Sequence, residues 1–250
     1  NNVIVDIEYH FSPAGEWAAV NNEFKELFDV YITDLAPDLN VNNLDLTQAE
    51  KDAALSAMSA YSDVGNLRFI ENTDTDQFNN PANIQWSIVD DPNDGPGWGW
   101  ITHPGALLSG LIQINRAYYD ETTSQSLEPG GNNYLTYTHE FGHALGLKHP
   151  HATGGDGYGT PFPPFPGIEN PTDEPTESGE WPPAWTDGGD NGLNATPWSV
   201  MTYNNIDANQ YAPSLSDTNG YLTGIGAFDI AAIQYLYGPN QSNKTGDDTY

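Results

Sequence analysis

Cysteine is absent from the 250 residues of the chain, and basic residues are scarce. Without cysteine the chain forms no disulfide, and any metal must be held by histidine, carboxylate, tyrosine or backbone oxygen. Six Lys and Arg stand against 35 Asp and Glu, which gives a formal net charge of −29 at pH 7. Because a field of that sign repels phosphate backbones and anionic lipid headgroups, the composition argues against nucleic-acid and membrane-surface partners.

The chain also lacks an apolar run long enough to span a bilayer, and its first residues carry no charged and apolar leader. The sequence therefore predicts either a cytosolic protein or one whose leader has been removed. Apolar residues are nevertheless plentiful, at 37% of the chain with 12% aromatic. That is enough to close a sizeable core in one domain or two small ones.

Short strands and amphipathic helices alternate along the sequence. Alternating apolar and polar residues over 3–9 predict a half-buried strand, and helical spacing over 22–35 predicts a helix. Thr47 and Glu50 have the spacing of a capping box, which predicts a second helix over about 48–63. Further strands are predicted at 66–71, 82–89 and 110–117, and a last helix at about 227–237 that stops at Gly238.

Eight prolines, together with glycine, serine and acidic residues, fall between positions 161 and 183. This composition cannot sustain regular secondary structure, so it predicts a long surface loop. The aromatic residues inside it predict that the loop is packed against the body of the domain.

A run of twelve residues that begins at His139 carries the chemistry, and it reads His-Glu-Phe-Gly-His-Ala-Leu-Gly-Leu-Lys-His-Pro. His139 and His143 are four residues apart, which on a helix places both imidazoles on one face, as two ligands of one zinc ion. Glu140 then lies beside the metal, where its carboxylate can hold a water and take its proton. Gly146 tolerates positive φ, so the chain can turn back and bring His149 as a third ligand, which leaves one zinc position open.

These residues resemble the signature of the metzincin clan of zinc endopeptidases, and within that clan the chain is similar to the serralysin family. Residues 199–204, Ser-Val-Met-Thr-Tyr-Asn, resemble the clan's methionine-containing turn (Met-turn) below the metal. Pro150 directly after the third histidine and the helical sequence 229–238 are also typical of serralysins. The resemblance covers most of residues 40–240.

The resemblance implies an α+β fold of the metzincin type. Its parts are a twisted, mostly parallel sheet of about five strands with an antiparallel edge strand, an active-site helix, a C-terminal helix and the Met-turn. Residues 1–240 are expected to form the catalytic domain, with an extra helix at about 22–35 and a long proline-rich loop over about 152–198. Residues 241–250 resemble the lead-in to a calcium-binding β-roll, whose Gly-Gly-x-Gly-x-Asp repeats do not occur in these 250 residues.

The resemblance also implies a function. The expected protein is a secreted, extracellular bacterial zinc endopeptidase that hydrolyses internal bonds of protein or peptide substrates and acts as a monomer. Glu140 is its general base and acid. Met201 is the apolar floor under the imidazoles, with ordinary core packing as the alternative. Tyr203 is a phenol that reaches the zinc or steadies the oxyanion, and a tyrosine bound only to the backbone is the alternative.

Two weaker groups of candidates lie outside the zinc motif. Trp98, Gly99, Trp100 and Ile101 are predicted to form an edge strand that binds substrate backbone, and an ordinary glycine-aromatic loop is the alternative. Oxygen-rich turns make four aspartates candidate calcium ligands, with plain Asx turns as the alternative. These aspartates are Asp94, Asp156, Asp187 and Asp190.

The other histidines are expected to be structural. His151, two residues past the third ligand, is predicted to be a solvated loop histidine, and His10 and His103 are predicted to have no part in the site. The rival function is a non-proteolytic zinc- or calcium-binding module of the same fold that recognises peptides or coats a surface. An intact Glu140 disfavours that rival, because a binding module needs no base at this position.

Overall fold

The computed structural model describes residues 4–28, 42–74, 81–92, 97–100, 110–118, 124–152, 164–169, 187–204 and 220–243. The strands are β1 (Val5–Phe11), β2 (Leu67–Glu71), β3 (Ile84–Val89), β4 (Gly97–Trp100) and β5 (Leu111–Asn115). The helices are α1 (Glu16–Phe28), α2 (Gln48–Ser62), α3 (Asn132–Ala144) and α4 (Ala227–Tyr237), with short 3₁₀ segments at Arg116–Tyr118, Ser124–Leu127 and Asp190–Gly192. Most of the predicted proline-rich loop and the predicted helical residues 29–35 lie outside the described ranges.

The strands form one sheet in the order β2-β1-β3-β5-β4. β1 runs parallel to both β2 and β3, β3 runs parallel to β5, and β4 pairs with β5 in the antiparallel sense. The predicted α+β class and the mostly parallel sheet with an antiparallel strand at its edge are therefore confirmed for the described residues. β3 is buried along its whole length, as a parallel strand covered on both faces must be.

The start of α2 follows the predicted capping box. The backbone N–H of Glu50 donates to Oγ1 of Thr47 at 3.3 Å, and the Thr47 N–H donates to the Glu50 carboxylate at 2.6 Å. These two bonds satisfy donors that a helix start otherwise leaves unpaired. Arg116, just after β5, adds a two-pronged ion pair to the same carboxylate, with N–O distances of 2.9 and 2.8 Å. The capped end of α2 is thereby fixed to the end of β5.

The first helix begins earlier than its apolar spacing predicted. α1 starts at Glu16 rather than near residue 22, because a distant segment satisfies its first turn. The N–H of Trp17 donates to the side-chain oxygen of Asn43 at 3.2 Å, and the indole of Trp17 is buried. β1 is also displaced by two residues from the predicted strand, since Tyr9 to Phe11 pair with β3. Both corrections come from tertiary pairing that local pattern does not record.

An aromatic cluster joins the sheet to α3. The indole of Trp86 on β3 stacks on Tyr137 at 5.6 Å and on Phe141 at 5.7 Å between ring centroids. Tyr61 and Phe69 meet the Phe141 ring edge-on at 5.4 and 5.2 Å, an arrangement that aromatic rings prefer. The cluster fixes which side of α3 faces the sheet, and with it the direction of the remaining side chains.

One hydrophobic core joins strands β1, β2, β3 and β5 to helices α2, α3 and α4, with buried members from Ile7 to Ile233. α3 lies against α2 and against strands β4 and β5. α4 spans the predicted residues and stops at Gly238, whose φ of 82° ends the helix. In the described parts of the chain, no helix combines the length and the apolar character needed to cross a bilayer.

Candidate metal centre

The histidines of α3 point away from the sheet. Residues two apart on a helix point about 200° away from each other. Because Phe141 faces the sheet, His139 and His143, two residues before and after it, face the opposite side. His139 and His143 are one helical turn apart there, and their rings lie 4.7 Å apart between centroids, edge to face. The predicted pairing of the first two histidines is therefore present in the structure.

The helix ends in a tight turn that depends on Gly146. Its φ is 97°, a value that residues with a side chain rarely adopt. The N–H of Leu147 donates to the carbonyl of Gly142 and the N–H of Gly146 donates to that of His143, both at 2.9 Å. This pair of bonds is the Schellman motif. The predicted sharp exit at Gly146 is confirmed, and it returns the chain toward α3 at His149.

Backbone carbonyls fix the tautomers of the first two histidines. Nδ1 of His139 lies 2.7 Å from the carbonyl oxygen of Val200, and Nδ1 of His143 lies 2.9 Å from that of Leu147. A carbonyl oxygen can only accept, so in both rings Nδ1 carries the proton and Nε2 keeps the lone pair. The Schellman turn itself supplies the Leu147 carbonyl, so the turn orients the ligand candidate His143 as well as redirecting the chain.

The three Nε2 atoms converge on one point. They are 3.1 Å apart between His139 and His143, 3.2 Å between His139 and His149, and 3.0 Å between His143 and His149. Tetrahedral zinc with Zn–N bonds of about 2.0–2.1 Å requires ligand nitrogens about 3.3–3.4 Å apart. Lone pairs that face each other this closely repel unless a cation lies between them. The donor set therefore fits zinc, and among the described residues it is the one group of three or more His, Asp or Glu placed to hold a metal.

Burial keeps these imidazoles neutral. It lowers the pKa of His139 to about 4, although the bond to Val200 partly opposes the shift. Burial also lowers the pKa of His143 well below its ordinary value, and the neighbouring His139 and His149 add to the effect. The pKa of His149 is lowered in the same way. Metal binding requires deprotonated ligands, so the site is in its binding-competent protonation state at neutral pH.

Tyr203 contacts the triad, and Glu140 is the residue after the first of its histidines. Glu140 follows the first ligand on α3 and is 6% exposed. The phenol ring of Tyr203 stacks on His139 at 5.5 Å and contacts His149 at 4.5 Å between centroids. Tyr203 is 41% exposed, so its ring covers the triad on one side and meets solvent on the other. The structure places Tyr203 against two of the three histidines, and Glu140 stays a predicted catalytic residue, buried directly after the first histidine on α3.

Met201 packs below α3. It is 1% exposed, and a Cβ built on Gly142 would lie 2.5 Å from its sulfur and 2.6 Å from the hydroxyl of Tyr61. Only glycine at 142 allows this approach of the two segments. Met201 is thus fixed under the helix at Gly142, the residue before the ligand candidate His143.

His151 corrects a prediction. It was expected to be solvated, yet its side chain is fully buried. Its ring lies flat on that of His149, with centroids 4.9 Å apart and planes within 10° of parallel. The reason is that residues 149–152 fold back into a turn closed by a bond from the Ala152 N–H to the His149 carbonyl at 3.1 Å. Sequence spacing could not reveal the burial of a histidine in a segment after the helix.

The weaker candidates are scattered. Gly97–Trp100 forms β4 at the edge of the described sheet, which agrees with the predicted edge strand, while Ile101 lies outside the described residues.

Of the four calcium candidates, Asp94 and Asp156 lie outside the described residues. The Asp187 carboxylate accepts bonds from the N–H groups of Glu169 and Gly189 at 2.7 and 2.9 Å. These bonds lower the pKa of Asp187, and the one to Gly189 is the Asx turn named as the alternative. The calcium role of Asp187 and Asp190 stays a prediction.

Sequence reasoning missed the groups that support the ligands. The carbonyls of Leu147 and Val200 carry no sequence signal, because every residue has one. Asp229 was passed over as part of a helical pattern, although its position three residues after Gly226 is that of a helix-capping acid. Its carboxylate accepts a bond from the Val200 N–H and so holds the segment that orients His139.

Comparison with known proteins agrees with this geometry. No family model matches the chain. Serralysin of Proteus mirabilis is 28% identical over 221 residues, which are 84% of this chain and 39% of that protein. Metallopeptidase AprA of Pseudomonas marginalis is 29% identical over 80% of this chain and 36% of its own length. Serralysin C of Dickeya chrysanthemi is 31% identical over 78% of this chain and 34% of its own. The chain thus spans little more than a third of these proteins, and within that span it is a relative of the serralysin family of metalloproteases.

Proposed function

We propose that the chain is the catalytic part of a secreted zinc endopeptidase that hydrolyses internal peptide bonds. The observation that carries the proposal is the convergence of three neutral imidazoles through Nε2, at 3.0 to 3.2 Å, with Glu140 directly after the first of them on α3. A structural zinc site closes its fourth position with a further protein ligand, whereas a catalytic site keeps that position open. Three ligands and an adjacent acid correspond to the catalytic kind.

His139, His143 and His149 would hold the zinc. When bound, zinc supplies Lewis acidity, which activates a water and polarises the scissile carbonyl. The Glu140 carboxylate takes the proton of the attacking water and hands it to the leaving amine. Its position directly after the ligand candidate His139 on α3, and its burial, support this role.

Tyr203 is proposed to steady the developing oxyanion or to reach the zinc with its hydroxyl. Its ring already rests on His139 and His149, and hydrogen-bond donors aimed at developing charge contribute strongly to catalysis. Tyr203→Phe keeps the ring and removes the donor. We expect kcat to fall by about 10²-fold or more while KM changes little. An unchanged kcat would assign Tyr203 to packing alone.

Substrate backbone is proposed to add to β4. This strand is at the edge of the described sheet and next to α3, and an extended peptide can continue a sheet at such an edge. The wider proposal treats residues 1–240 as one metzincin-type catalytic domain, with 199–204 as its Met-turn and Met201 as the floor of the site. The shared core from Ile7 to Ile233 supports a single domain. The proposal also includes calcium binding at Asp187 and Asp190.

The function is tested with an unfolded protein as substrate. Zinc-loaded chain, its Glu140→Gln variant and a chelator-treated sample are compared for cleavage, with product ends mapped by mass spectrometry. We expect internal cleavage by the parent, a loss of about 10²–10⁴-fold in the variant, and none after chelation. Glu71→Gln is the matched control, since Glu71 is exposed on β2, at the other end of the sheet from β4.

Two outcomes would contradict the proposal. A parent chain that binds zinc and cleaves nothing would favour the rival, a peptide-binding module of the same fold. Equal cleavage by parent and Glu140→Gln would remove Glu140 from the mechanism and point to another base.

A further inference from the structure

We propose that His151 is a positioning residue that holds the rings of His149 and Tyr203 in the orientation the zinc site needs. The inference rests on the proposed function, since it concerns the ligand set of that site. It adds a residue outside the zinc motif, two positions beyond the third ligand.

The three rings form one packed group. His151 lies flat on His149 at 4.9 Å with an interplanar angle of 10°, and it meets Tyr203 at 5.3 Å and 40°. His149 and Tyr203 contact each other at 4.5 Å. His151 is 0% exposed, whereas Tyr203 is 41% exposed. His151 is therefore the buried support of the group, and Tyr203 is its solvent-facing member.

His149 is the one ligand candidate that does not stand on α3. His139 and His143 stand on α3, and backbone carbonyls hold their Nδ1 atoms. His149 lies beyond the helix, in the turn that is closed by the bond from the Ala152 N–H to the His149 carbonyl. Pro150 and His151 occupy the central positions of that turn, and proline restricts the backbone there. The turn thus folds the His151 ring back onto the ring of His149.

A flat neighbour restricts rotation of the His149 ring out of its plane. Groups that orient metal ligands without touching the metal typically change metal affinity by about 10–100-fold. A preformed ring orientation also reduces the side-chain entropy that zinc binding would otherwise have to remove. The same contact fixes the ring of Tyr203, so the effect should reach kcat as well as zinc affinity.

The test compares His151→Phe, which keeps a flat ring, with His151→Ala, which removes it. Zinc affinity is measured by competition with a chromophoric chelator, ligand geometry by the visible absorption of the cobalt-loaded protein, and turnover by kcat and KM. We expect His151→Ala to lose about 10–100-fold in zinc affinity, to change the cobalt spectrum and to lower kcat. His151→Phe should recover most of all three. His10→Ala is the matched control, a buried histidine on β1 that should lose stability and keep zinc affinity.

The outcomes separate this inference from the proposed function. A parent chain without zinc affinity would overturn both. A parent that binds zinc, with His151→Ala equal to it in affinity and spectrum, would overturn the positioning role alone. Loss in His151→Phe as large as in His151→Ala would also overturn it, because a ring nitrogen rather than the flat contact would then matter. If His151→Ala does not fold, His151→Leu fills the volume without a flat ring, and equal affinity of the Phe and Leu variants would overturn the inference.

Discussion

Asp229 accepts a 2.6 Å hydrogen bond from the hydroxyl of Ser199, although 30 residues separate them. The same buried carboxylate accepts bonds from the N–H groups of Val200 at 2.7 Å and Gly226 at 2.8 Å. Val200 in turn offers its carbonyl to Nδ1 of His139 at 2.7 Å. The first turn of α4 therefore holds the peptide that orients the first zinc-ligand candidate.

Asp229→Asn should damage both stability and the metal site. An amide has a single acceptor oxygen. If that oxygen keeps the N–H groups of Val200 and Gly226, the NH₂ group faces the Ser199 hydroxyl, whose O–H donor then loses its acceptor. We expect a loss of about 1–3 kcal/mol in the free energy of unfolding, as for a buried polar group left unsatisfied. We also expect zinc affinity to fall by about 10-fold through the displaced Val200 carbonyl. Urea unfolding and chelator competition measure the two effects.

Asp63→Asn serves as the control for this change, because Asp63 is exposed at the end of α2. It should leave zinc affinity unaltered. A stable Asp229→Asn variant with parental zinc affinity would show that the carboxylate does not transmit its position to His139.

Gly142→Ala tests the close approach of α3 and the Met201 segment. The added methyl would lie 2.5 Å from the Met201 sulfur and 2.6 Å from the Tyr61 hydroxyl. Tyr61 is held by its own bond to the carbonyl of Thr138 at 2.9 Å, so it cannot move away freely. We expect a loss of about 1–3 kcal/mol in stability, which is typical of overpacking, measured as a lower midpoint of thermal unfolding.

Gly224→Ala is the matched control. Among the described residues a methyl there meets only the Cβ of Ala60, at 4.0 Å, and should change stability little. Equal effects of the two substitutions would mean that the contact with Met201 and Tyr61 relaxes without cost.

The regular elements were predictable where local signals coincide with the tertiary structure. The capping box at Thr47 and Glu50 and the glycine stop at Gly238 both act within one helix, so α2 and α4 lie close to their predicted bounds. The start of α1 was not predictable, because Asn43 satisfies its first turn from 26 residues away. Strand limits likewise depend on pairing partners that no local window contains.

The same distinction between local signals and tertiary contacts applies to the residues of the candidate site. The three ligand candidates and Glu140 follow from helical geometry and one glycine, which a sequence displays directly. The contacts of His151 with His149 and of Asp229 with Ser199 depend on how separate segments pack. A sequence records the identities of these residues and leaves out their distances.

Arg116→Gln tests the ion pair that caps α2. Burial alone would raise the pKa of Glu50, but bonds from Arg116 and Thr47 lower it below its ordinary value. Removing the guanidinium leaves a buried carboxylate with fewer partners. We expect the free energy of unfolding to fall by about 3 kcal/mol at pH 7. This is near the lower end for a broken buried ion pair, because the Arg116 side chain is 21% exposed.

The pH dependence follows from the lowered pKa of Glu50. A carboxyl whose folded pKa is depressed contributes stability above its unfolded pKa and loses it as pH falls through the folded one. The difference in unfolding free energy between the parent and Arg116→Gln should therefore be largest at pH 7 and shrink below about pH 4.5. Arg68→Gln is the control, since its pair with Asp6 is exposed and should matter far less. A gap that stays constant down to acid pH would contradict the assignment.

His10 makes the free energy of unfolding depend on pH in the opposite direction to Glu50. Burial alone would lower the pKa of His10, but the Glu16 carboxylate at 3.2 Å and the Asn72 carbonyl at 2.9 Å outweigh it and raise the pKa, with a smaller contribution from Glu71. A histidine whose folded pKa is raised contributes stability fully below its unfolded pKa of about 6.5 and loses it as pH rises through the folded value. The parent should thus exceed His10→Gln in unfolding free energy by more at pH 5.5 than at pH 8.5.

Glu16→Gln identifies the partner responsible for that pH dependence. It keeps the size of the side chain and an acceptor oxygen but removes the charge that favours the protonated imidazole. Urea unfolding of the parent and both variants between pH 5.5 and 8.5 should therefore show a flatter dependence in Glu16→Gln. If the parent and Glu16→Gln follow the same curve, the buried pair with His10 does not control stability in this range, and the pH dependence must come from another titrating group.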